Sequence, residues 1–233
     1  MKIDCHCHTV YSKHFLWGHD ALDTPLDMIK AAMKKGVNGL IVTDHNTVKG
    51  GLVAKKAAKR FKNFTIIVGS EVRTIEGEII AIDIKEDVPM KLSIEETVEK
   101  IHDLGGIATA PHPFGNYVFR TCAGKKSLMA DAIEVYNSTL TKGQNRKAKE
   151  LAELFKKPVT AGSDSHSCRE VGNAGLILDG DPIEEILKRR VRIFGKHTSL
   201  LEITNRTSRK FARSVEWRLT GRKSQYSHKS QEK

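Results

Sequence analysis

Short apolar runs alternate with amphipathic stretches over residues 1–200, and this alternation limits the possible folds more than any other feature. Short apolar runs are typical of buried strands, and amphipathic stretches with helical periodicity are typical of helices that cover a sheet. The order favours βα units around a parallel sheet. The predicted strands are Lys2–Cys5, Gly39–Thr43, Thr65–Gly69, Gly106–Ala110, Ala132–Val135, Pro158–Ala161 and Ala174–Leu178.

Helical patterns separate these strands. Ser93 and Glu96 form a capping-box signature at the start of one of them. The segment Glu71–Ile84, which is interrupted by Glu76-Gly77, predicts a hairpin inserted into the series. The predicted helices are Pro25–Lys35, Val48–Phe61, Ser93–Leu104, Gly143–Phe155 and Pro182–Arg190.

Seven βα-like units in succession favour an α/β barrel of about seven strands. The alternative is an open doubly wound sheet, but no glycine-rich phosphate loop follows the first strand. We expect residues 1–200 to form the barrel domain and residues 201–220 to form a basic helix packed on it. Phe211, Val215 and Leu219, with Trp217 close by, would supply the apolar face of that helix. We expect residues 221–233 to be a disordered tail.

The net charge of +11 is concentrated near one end of the chain. Residues 201–233 contain nine Lys/Arg and three Asp/Glu. A basic segment of this kind suggests a polyanionic partner such as nucleic acid, but a solvated, frayed terminus has the same composition. Charge alone leaves both interpretations open.

The composition also bears on the cellular setting. No apolar run approaches the roughly 18 residues of a membrane span, and no secretion signal is evident, so no membrane association is expected. The four cysteines show no disulfide framework. We therefore expect a reducing, cytoplasmic setting.

Imidazole and carboxylate side chains stand at the ends of six successive predicted strands. In a parallel barrel the carboxyl ends of the strands open on one face, where barrel active sites lie. These side chains are therefore expected to meet in a single mouth. They are His6, His8, His45, Glu71, His112, Glu134, Asp164 and His166.

Two of these elements have the spacing of metal ligands. In His6-x-His8, alternate residues of an extended strand point the same way, and Asp164-x-His166 does the same with mixed ligands. Imidazole combined with carboxylate suits zinc, manganese or iron. Bound cations would also offset the cost of holding so many ionisable groups together.

Other candidates of the same residue types favour ordinary structural roles. His102, His197 and His228 are each isolated and fit surface or structural histidines. Cys5 and Cys7 alternate with His6 and His8, and we interpret them as small core residues, although thiolate ligation is conceivable.

The ordered set of motifs resembles the polymerase and histidinol phosphatase (PHP) superfamily. The resemblance covers residues 1–200 and implies a distorted seven-stranded (β/α) barrel, TIM-like, with a di- or trinuclear metal centre. Members hydrolyse phosphomonoesters, including histidinol phosphate and nucleotides, and others act as 3′–5′ exonucleases or proofreading domains. The motifs are Asp4-Cys-His6-Cys-His8-Thr9 followed by Tyr11-Ser12, Thr43-Asp44-His45-Asn46, Gly69-Ser70-Glu71-Val72, Pro111-His112-Pro113, Glu134-Val135-Tyr136-Asn137 and Gly162-Ser163-Asp164-Ser165-His166.

The resemblance implies a set of metal ligands. His6, His8 and Asp164 would bind one ion, Glu71 would bridge two, His112 and Glu134 would bind the second, and His45 and His166 would bind a third.

The chain departs from the family pattern at two points. The family often has an aspartate after the serine of its first motif, whereas Ser12 is followed here by Lys13 and His14. His14 would substitute as a ligand of the third ion, or else His19 or Asp20 would do so. The hairpin residues 77–80 offer no histidine, so the number of ions, two or three, stays open.

The function expected from these residues is metal-dependent hydrolysis of phosphomonoesters or nucleotides. A hydroxide that bridges the metal ions would attack phosphorus in line. His45 or Asp164 would protonate the leaving group. Arg169, Arg120 and Lys13 would hold the substrate phosphate.

Two alternatives to this function remain at the level of sequence. One is a 3′–5′ exonuclease or RNA/DNA-processing protein that uses the basic segment 201–233. The other is a non-catalytic RNA–protein scaffold. The sequence does not resemble a polymerase module, so a proofreading role would require a separate partner.

Overall fold

The computed structural model describes residues 1–12, 20–115 and 122–220, with the backbone alone described for 216–220. Nine strands of these residues form one sheet in the order β7-β6-β5-β4-β3-β2-β1-β8-β9. The strands are β1 Lys2–Cys7, β2 Gly39–Val42, β3 Thr65–Arg73, β4 Glu78–Ile82, β5 Ile107–Ala110, β6 Ala132–Asn137, β7 Val159–Gly162, β8 Ala174–Ile177 and β9 Arg192–Gly195.

The sheet is nearly closed into a barrel. Strands β1–β3 pair in parallel, as do β5–β7, and β4 lies antiparallel between β3 and β5, so these six parallel strands share one direction. Beyond the end of β7, Asp164 N donates to His6 O at 2.8 Å and Ser165 O accepts from His8 N at 2.8 Å. These bonds bring the exit of β7 against the exit of β1.

The expected count of seven strands is not confirmed. One additional strand is β4, which is the second arm of the predicted hairpin and pairs with β3 from Gly69↔Ile82 to Arg73↔Glu78. The other is β9, an edge strand on β8. Its sequence, Arg-Ile-Phe-Gly, is largely exposed and does not show the buried–exposed alternation that marks a strand in sequence.

Five α-helices and one short 3₁₀ helix (Gly124–Met129) connect strands within the described residues, and a sixth α-helix follows the last strand. Ser93 caps α3 in the capping box with Glu96, and Thr141 caps α4 in a second capping box with Gln144. The helices are α1 Pro25–Lys34, α2 Lys49–Ala58, α3 Ile94–Asp103, α4 Lys142–Leu154, α5 Pro182–Leu187 and α6 Leu200–Thr220.

The apolar core fills the barrel and the layer beneath the helices. Inward-facing residues such as Ile3, Ile41 and Ile80 form one cluster. Cys5 belongs to that cluster, whereas Cys7 packs in a separate cluster with Met28 of α1. A register shift between Asp4 and Cys7 in β1 accompanies this change of side. Both cysteines are buried core residues.

The described side chains of helix α6 contact the barrel through the basic face and not through Phe211 or Val215 of the predicted apolar face. Phe211 is 60% exposed and Val215 is 36% exposed. Instead, Arg206, Lys210 and Arg213 bond to groups at the barrel mouth. The reason is electrostatic, since the mouth presents carboxylates to the helix. The side chains of Trp217 and Leu219, and residues 221–233, lie outside the described part of the chain.

Among the described helices, none has the combination of length and apolar character that crossing a bilayer requires.

Candidate metal centre

The carboxyl ends of the parallel strands bring imidazoles and carboxylates together at the barrel mouth. Glu71 lies at their centre: its Oε1 is 2.8 Å from His112 Nε2, and its Oε2 is 3.2 Å from His45 Nδ1. The same Oε2 is 3.3 Å from His8 Nε2 and 3.4 Å from His6 Nε2. A single buried carboxylate therefore contacts histidines from three other strand ends.

The Oε2 atom of Glu71 is buried and makes no hydrogen bond. A buried carboxylate oxygen without a partner is costly, because desolvation is not compensated. Ring nitrogens of three histidines surround this atom without donating to it in good geometry. A cation shared by the carboxylate and the imidazoles would satisfy all of these groups, so the donor set fits a metal ion.

Within the described part of the chain, four overlapping groups of side chains have ligand atoms within 4.8 Å of one another. Because His6, His8, His45 and Glu71 each belong to more than one group, the groups describe adjacent sites and not distant ones. Mixed imidazole and carboxylate donors suit zinc, manganese or iron(II). The groups are His6–Glu71–His112, His6–His8–Asp164, His8–Asp20–His45–His166 and His45–Glu71–Glu78.

Asp20 is the residue that the structure brings to the third group. Its Oδ2 lies 2.8 Å from His166 Nε2 and 3.2 Å from His45 Nε2. Sequence reasoning gave it only as an alternative to His14. His14, His19, Lys13 and Arg120 lie outside the described residues, so their predicted roles stay predictions.

Glu78 is the site residue that sequence reasoning missed. Its Oε1 lies 3.9 Å from His45 Nδ1, and its Oε2 lies 3.8 Å from His112 Nε2. A signal was available, because Glu78 alternates along β4 with Ile80 and Ile82, which belong to the barrel interior. A carboxylate in register with an inward apolar face is unusual unless it serves a site.

Glu134 stands behind the ligand groups. Its Oε1 is 3.0 Å from His6 Nδ1, and its Oε2 accepts from His112 N at 2.8 Å and from Asn137 Nδ2 at 3.0 Å. A carboxylate on the far nitrogen of an imidazole orients the ring and makes it a better ligand. The geometry thus gives Glu134 an orienting role towards His6, and its role as a ligand stays a prediction.

Asp4 and Asp44 accept hydrogen bonds from backbone N–H groups close to the ligand residues. Asp4 accepts from Ser163 N and from Gly172 N, both at 2.8 Å, which ties β1 to the loop after β7. Asp44 accepts from Thr9 N at 2.5 Å. Burial raises the pKa of each carboxyl to about 6 against the opposing effect of these bonds.

Two of the ligand residues have a left-handed backbone. His112 has φ 30° and Asp164 has φ 51°. Such conformations cost on the order of 1–3 kcal/mol for residues other than glycine, and they concentrate at functional sites. Both lie two residues beyond the end of a parallel strand, β5 for His112 and β7 for Asp164.

The electrostatics favour cations in the mouth. Burial opposes charge on His45, but Glu71 and Asp20 raise the pKa of that imidazole to about 9. Burial also opposes ionisation of Glu71, yet His6 and His45 hold its pKa well below the usual value. Burial and Lys210 lower the pKa of His166. The Glu71 and Asp20 carboxylates, whose pKa values both lie well below the ordinary range, therefore stay ionised and attract positive charge, whether protons or metal ions.

Arg169 does not join the cluster. Its side chain is exposed, and its carbonyl oxygen accepts from Lys35 Nζ at 2.6 Å, beyond the end of α1. Its side chain forms no described hydrogen bond or ion pair with a ligand residue. The cations that the described structure does place against the mouth, Arg206 and Lys210, come from α6.

The fold and the site together define a class: barrel-like α/β proteins with a candidate metal centre at the carboxyl ends of their strands. Residues 142–189 match the model of the PHP-associated family. A protein of Methanocaldococcus jannaschii is 42% identical over 149 residues, which is 59% of this chain and 82% of the relative. The chain belongs to the PHP superfamily of phosphoesterases.

Two further similarities agree with this membership. A Vibrio campbellii protein named "Probable phosphatase" is 28% identical over 220 residues, covering 77% of this chain and 83% of the relative. A solved structure of a protein from Bifidobacterium adolescentis, described as a metal-dependent phosphoesterase, superposes with a TM-score of 0.62 at 18% identity. The superposition covers 85% of this chain and 97% of the Bifidobacterium chain. At that identity the similarity shows the fold alone.

Proposed function

We propose that this protein hydrolyses phosphomonoesters of small molecules or nucleotides with the help of two or three divalent cations. The observation that carries the proposal is the position of Glu71, whose two oxygens face different histidines: Oε1 faces His112, and Oε2 faces His6, His8 and His45. A carboxylate in that position suits two neighbouring cations. Paired cations are the common solution for in-line displacement at phosphorus.

Bound divalent cations would lower the pKa of water towards about 7 and neutralise the phosphoryl oxygens. The chain's own residues set the geometry. Glu134 and Ser12 hold the far nitrogens of His6 and His8 at 3.0 and 3.3 Å. Both rings therefore present Nε2 to the centre, where the two atoms lie 3.1 Å apart.

We propose that His45 donates the proton that the leaving group receives. Hydrolysis breaks the ester P–O bond, forms a new P–O bond to water, and leaves an alkoxide that needs a proton. His45 is the most exposed described imidazole of the cluster, at 14%, so its ring is the one that an ester entering the mouth reaches most readily. Asp164 is less suited, since Oδ1 faces His6 and Oδ2 accepts from Asn137.

The function is tested with manganese-loaded protein and p-nitrophenyl phosphate, followed by a panel of phosphomonoesters and nucleotides. We expect turnover that a chelator abolishes. Glu71→Gln, which keeps the shape but removes the charge, should lose at least about 100-fold in kcat/KM, and Asp164→Ala should lose a similar amount. Glu153→Gln, in an exposed pair with Lys149, is the matched control. Equal activity of Glu71→Gln and the parent would refute the proposal.

The assignment to His45 has its own test. p-Nitrophenolate leaves without a proton, whereas an alkoxide does not. His45→Gln should therefore lower kcat for alkyl phosphates about 10²–10⁴-fold more than for p-nitrophenyl phosphate. Metal content is measured in parallel, because His45 also belongs to two ligand groups. An equal loss on both substrates at unchanged metal content would contradict the assignment.

A second candidate, hydrolysis of nucleic acid from a 3′ end, is favoured by the position of α6. The basic segment begins beside the mouth, where Lys210 contacts Asp20. Arg209 is exposed on the same helix. If an oligonucleotide is the substrate, Arg209→Glu should raise its KM and flatten its salt dependence while leaving p-nitrophenyl phosphate unaffected. Bound metal without turnover of any ester would favour the non-catalytic scaffold.

A further inference from the structure

The basic face of α6 contacts the barrel at three positions spaced like one side of a helix. Arg206, Lys210 and Arg213 are four and three residues apart, so they lie on the same face. Their partners are Glu170, Asp20 and the carbonyl oxygen of Leu22. All three partners belong to residues 20–22 and 166–170, the two segments that supply Asp20 and His166 to the third ligand group.

Lys210 bonds directly to a ligand of that group. Its Nζ donates to Asp20 Oδ1 at 2.7 Å, while Asp20 Oδ2 faces His166 and His45. One oxygen of the carboxylate is thus held by α6 and the other is directed into the ligand group. Lys210 is 19% exposed, so water competes little for this bond.

Arg206 and Arg213 support the same two segments from behind. Arg206 donates to Glu170 Oε1 at 2.9 Å, and Glu170 Oε2 accepts from His166 N at 3.0 Å. Arg213 donates to Leu22 O at 2.6 Å, and Leu22 N donates to His166 O at 2.9 Å. Each chain of hydrogen bonds that starts on α6 therefore ends at His166 or Asp20.

The other ligand groups are built differently. His6, Glu71, His112 and Asp164 lie on or immediately beside paired strands. Their positions depend on the sheet, and no described contact joins them to α6.

We propose that α6 is a positioning element for the cation held by His8, Asp20, His45 and His166, and that Lys210 is its key residue. This inference rests on the metal centre of the proposed function and adds that the ligand groups differ in their dependence on α6. The strand-borne groups bind their ions without α6, whereas the group that includes Asp20 needs α6 docked. Cation binding there and docking of α6 would favour each other.

Lys210 has two opposing effects on cation affinity: its charge repels the cation, and its bond to Asp20 positions a ligand. Removal of Lys210 therefore shows which effect is larger. An ammonium group near a divalent cation repels it, so by Coulomb's law alone its removal would strengthen binding. Groups that orient a ligand from behind typically contribute about 10–100-fold in metal affinity. If positioning dominates, removal of Lys210 weakens binding.

The experiment compares the full-length parent with Lys210→Met, Lys210→Arg and the control Lys188→Met, whose lysine pairs with Glu184 on the exposed side of α5. Calorimetric titration with Mn²⁺ and elemental analysis give the number and affinity of bound ions. Hydrogen exchange reports on residues 20–23, 166–170 and α6. Circular dichroism checks that each variant folds.

We expect Lys210→Met to lose about 10–100-fold in affinity for one ion only, with faster exchange in residues 20–23 and 166–170. Lys210→Arg, which can still donate to Asp20, should restore both, and Lys188→Met should match the parent. Unchanged or tighter binding of every ion by Lys210→Met would overturn the inference while leaving the proposed function standing. A parent that binds no ion would refute both.

Discussion

Glu71 contacts four histidines of the cluster, and its surroundings make cation binding dependent on pH. Two of the imidazoles around it, His6 and His45, carry protons in the metal-free chain because nearby carboxylates stabilise the charged rings. His45 has a pKa of about 9, and that of His6 is well above its ordinary value, since Glu134, Asp164 and Glu71 outweigh burial. A metal ion needs the neutral ring, so it must displace these protons.

We therefore predict that binding releases protons at pH 7. His45 is protonated below about pH 9, so each displaced proton should raise metal affinity about tenfold per pH unit, up to that pH. Calorimetric titration with Mn²⁺ in two buffers of different ionisation enthalpy measures the number of protons. Binding that releases none, with affinity independent of pH between 6 and 8, would contradict this description of the site.

At the scale of elements, the ligands depend on the seam where β7 meets β1. Gly162 at the end of β7 packs directly against β1, and a Cβ there would lie 2.4 Å from His6 Cβ and 2.7 Å from His6 N. His6 N is a backbone atom and His6 Cβ is bonded to the backbone, so neither can shift unless β1 itself moves. The absence of a side chain at Gly162 allows the barrel to approach closure at the position of a ligand.

Gly162→Ala should therefore force β7 away from β1, lower the free energy of unfolding by about 1–3 kcal/mol and weaken metal binding through His6. Gly143→Ala is the matched control, because no atom lies within 4 Å of its Cβ in α4. Alanine in a helix should stabilise by up to about 1 kcal/mol there and leave the metal content unchanged. Denaturant unfolding measures the stability of the two variants, and elemental analysis measures their metal content. Equal effects of the two substitutions would contradict the idea that the close approach of β7 to β1 positions the ligands.

At the scale of the whole molecule, the metal centre should link distant parts of the chain. Its described ligands come from five parallel strand ends, from β4 and from the segment at Asp20. Cations that bind the folded chain alone stabilise it by about 2.7 kcal/mol at a hundred times Kd. For a chain of this length each kcal/mol corresponds to about 2–4 °C in Tm.

We predict that saturating Mn²⁺ raises Tm and that a chelator reverses the rise. Glu71→Gln should lose most of the increase, whereas Glu153→Gln should keep it, because Glu153 lies on the exposed side of α4. Scanning calorimetry with and without the cation measures both. An equal increase in the two variants would mean that the stabilising ions bind elsewhere.

Much of this arrangement could be predicted from sequence because it follows from local pattern and one topological rule. The βα periodicity places His6, His45 and His112 after strands, and parallel strands end on one face. Asp20 and Lys210 could not be assigned in this way. They lie 190 residues apart, and neither follows a strand, so only the folded chain shows that they meet.

The position of α6 shows a further limit. Periodicity identified a helix with an apolar stripe, and burial of that stripe was the natural expectation. Carboxylates at the mouth, which come from distant parts of the sequence, attract the basic face instead. The packing of the basic face against the barrel depends on Asp20 and Glu170 together, and no short stretch of the sequence contains both residues.

The most direct test of the central claim is a crystal structure of manganese-loaded protein with anomalous data collected at the manganese absorption edge. We expect at least two anomalous peaks at the barrel mouth, one on each side of the Glu71 carboxylate and in contact with His6, His8 or His112. A third peak is expected beside Asp20 when α6 is docked. No peak within bonding distance of Glu71, in crystals that contain bound manganese, would contradict it.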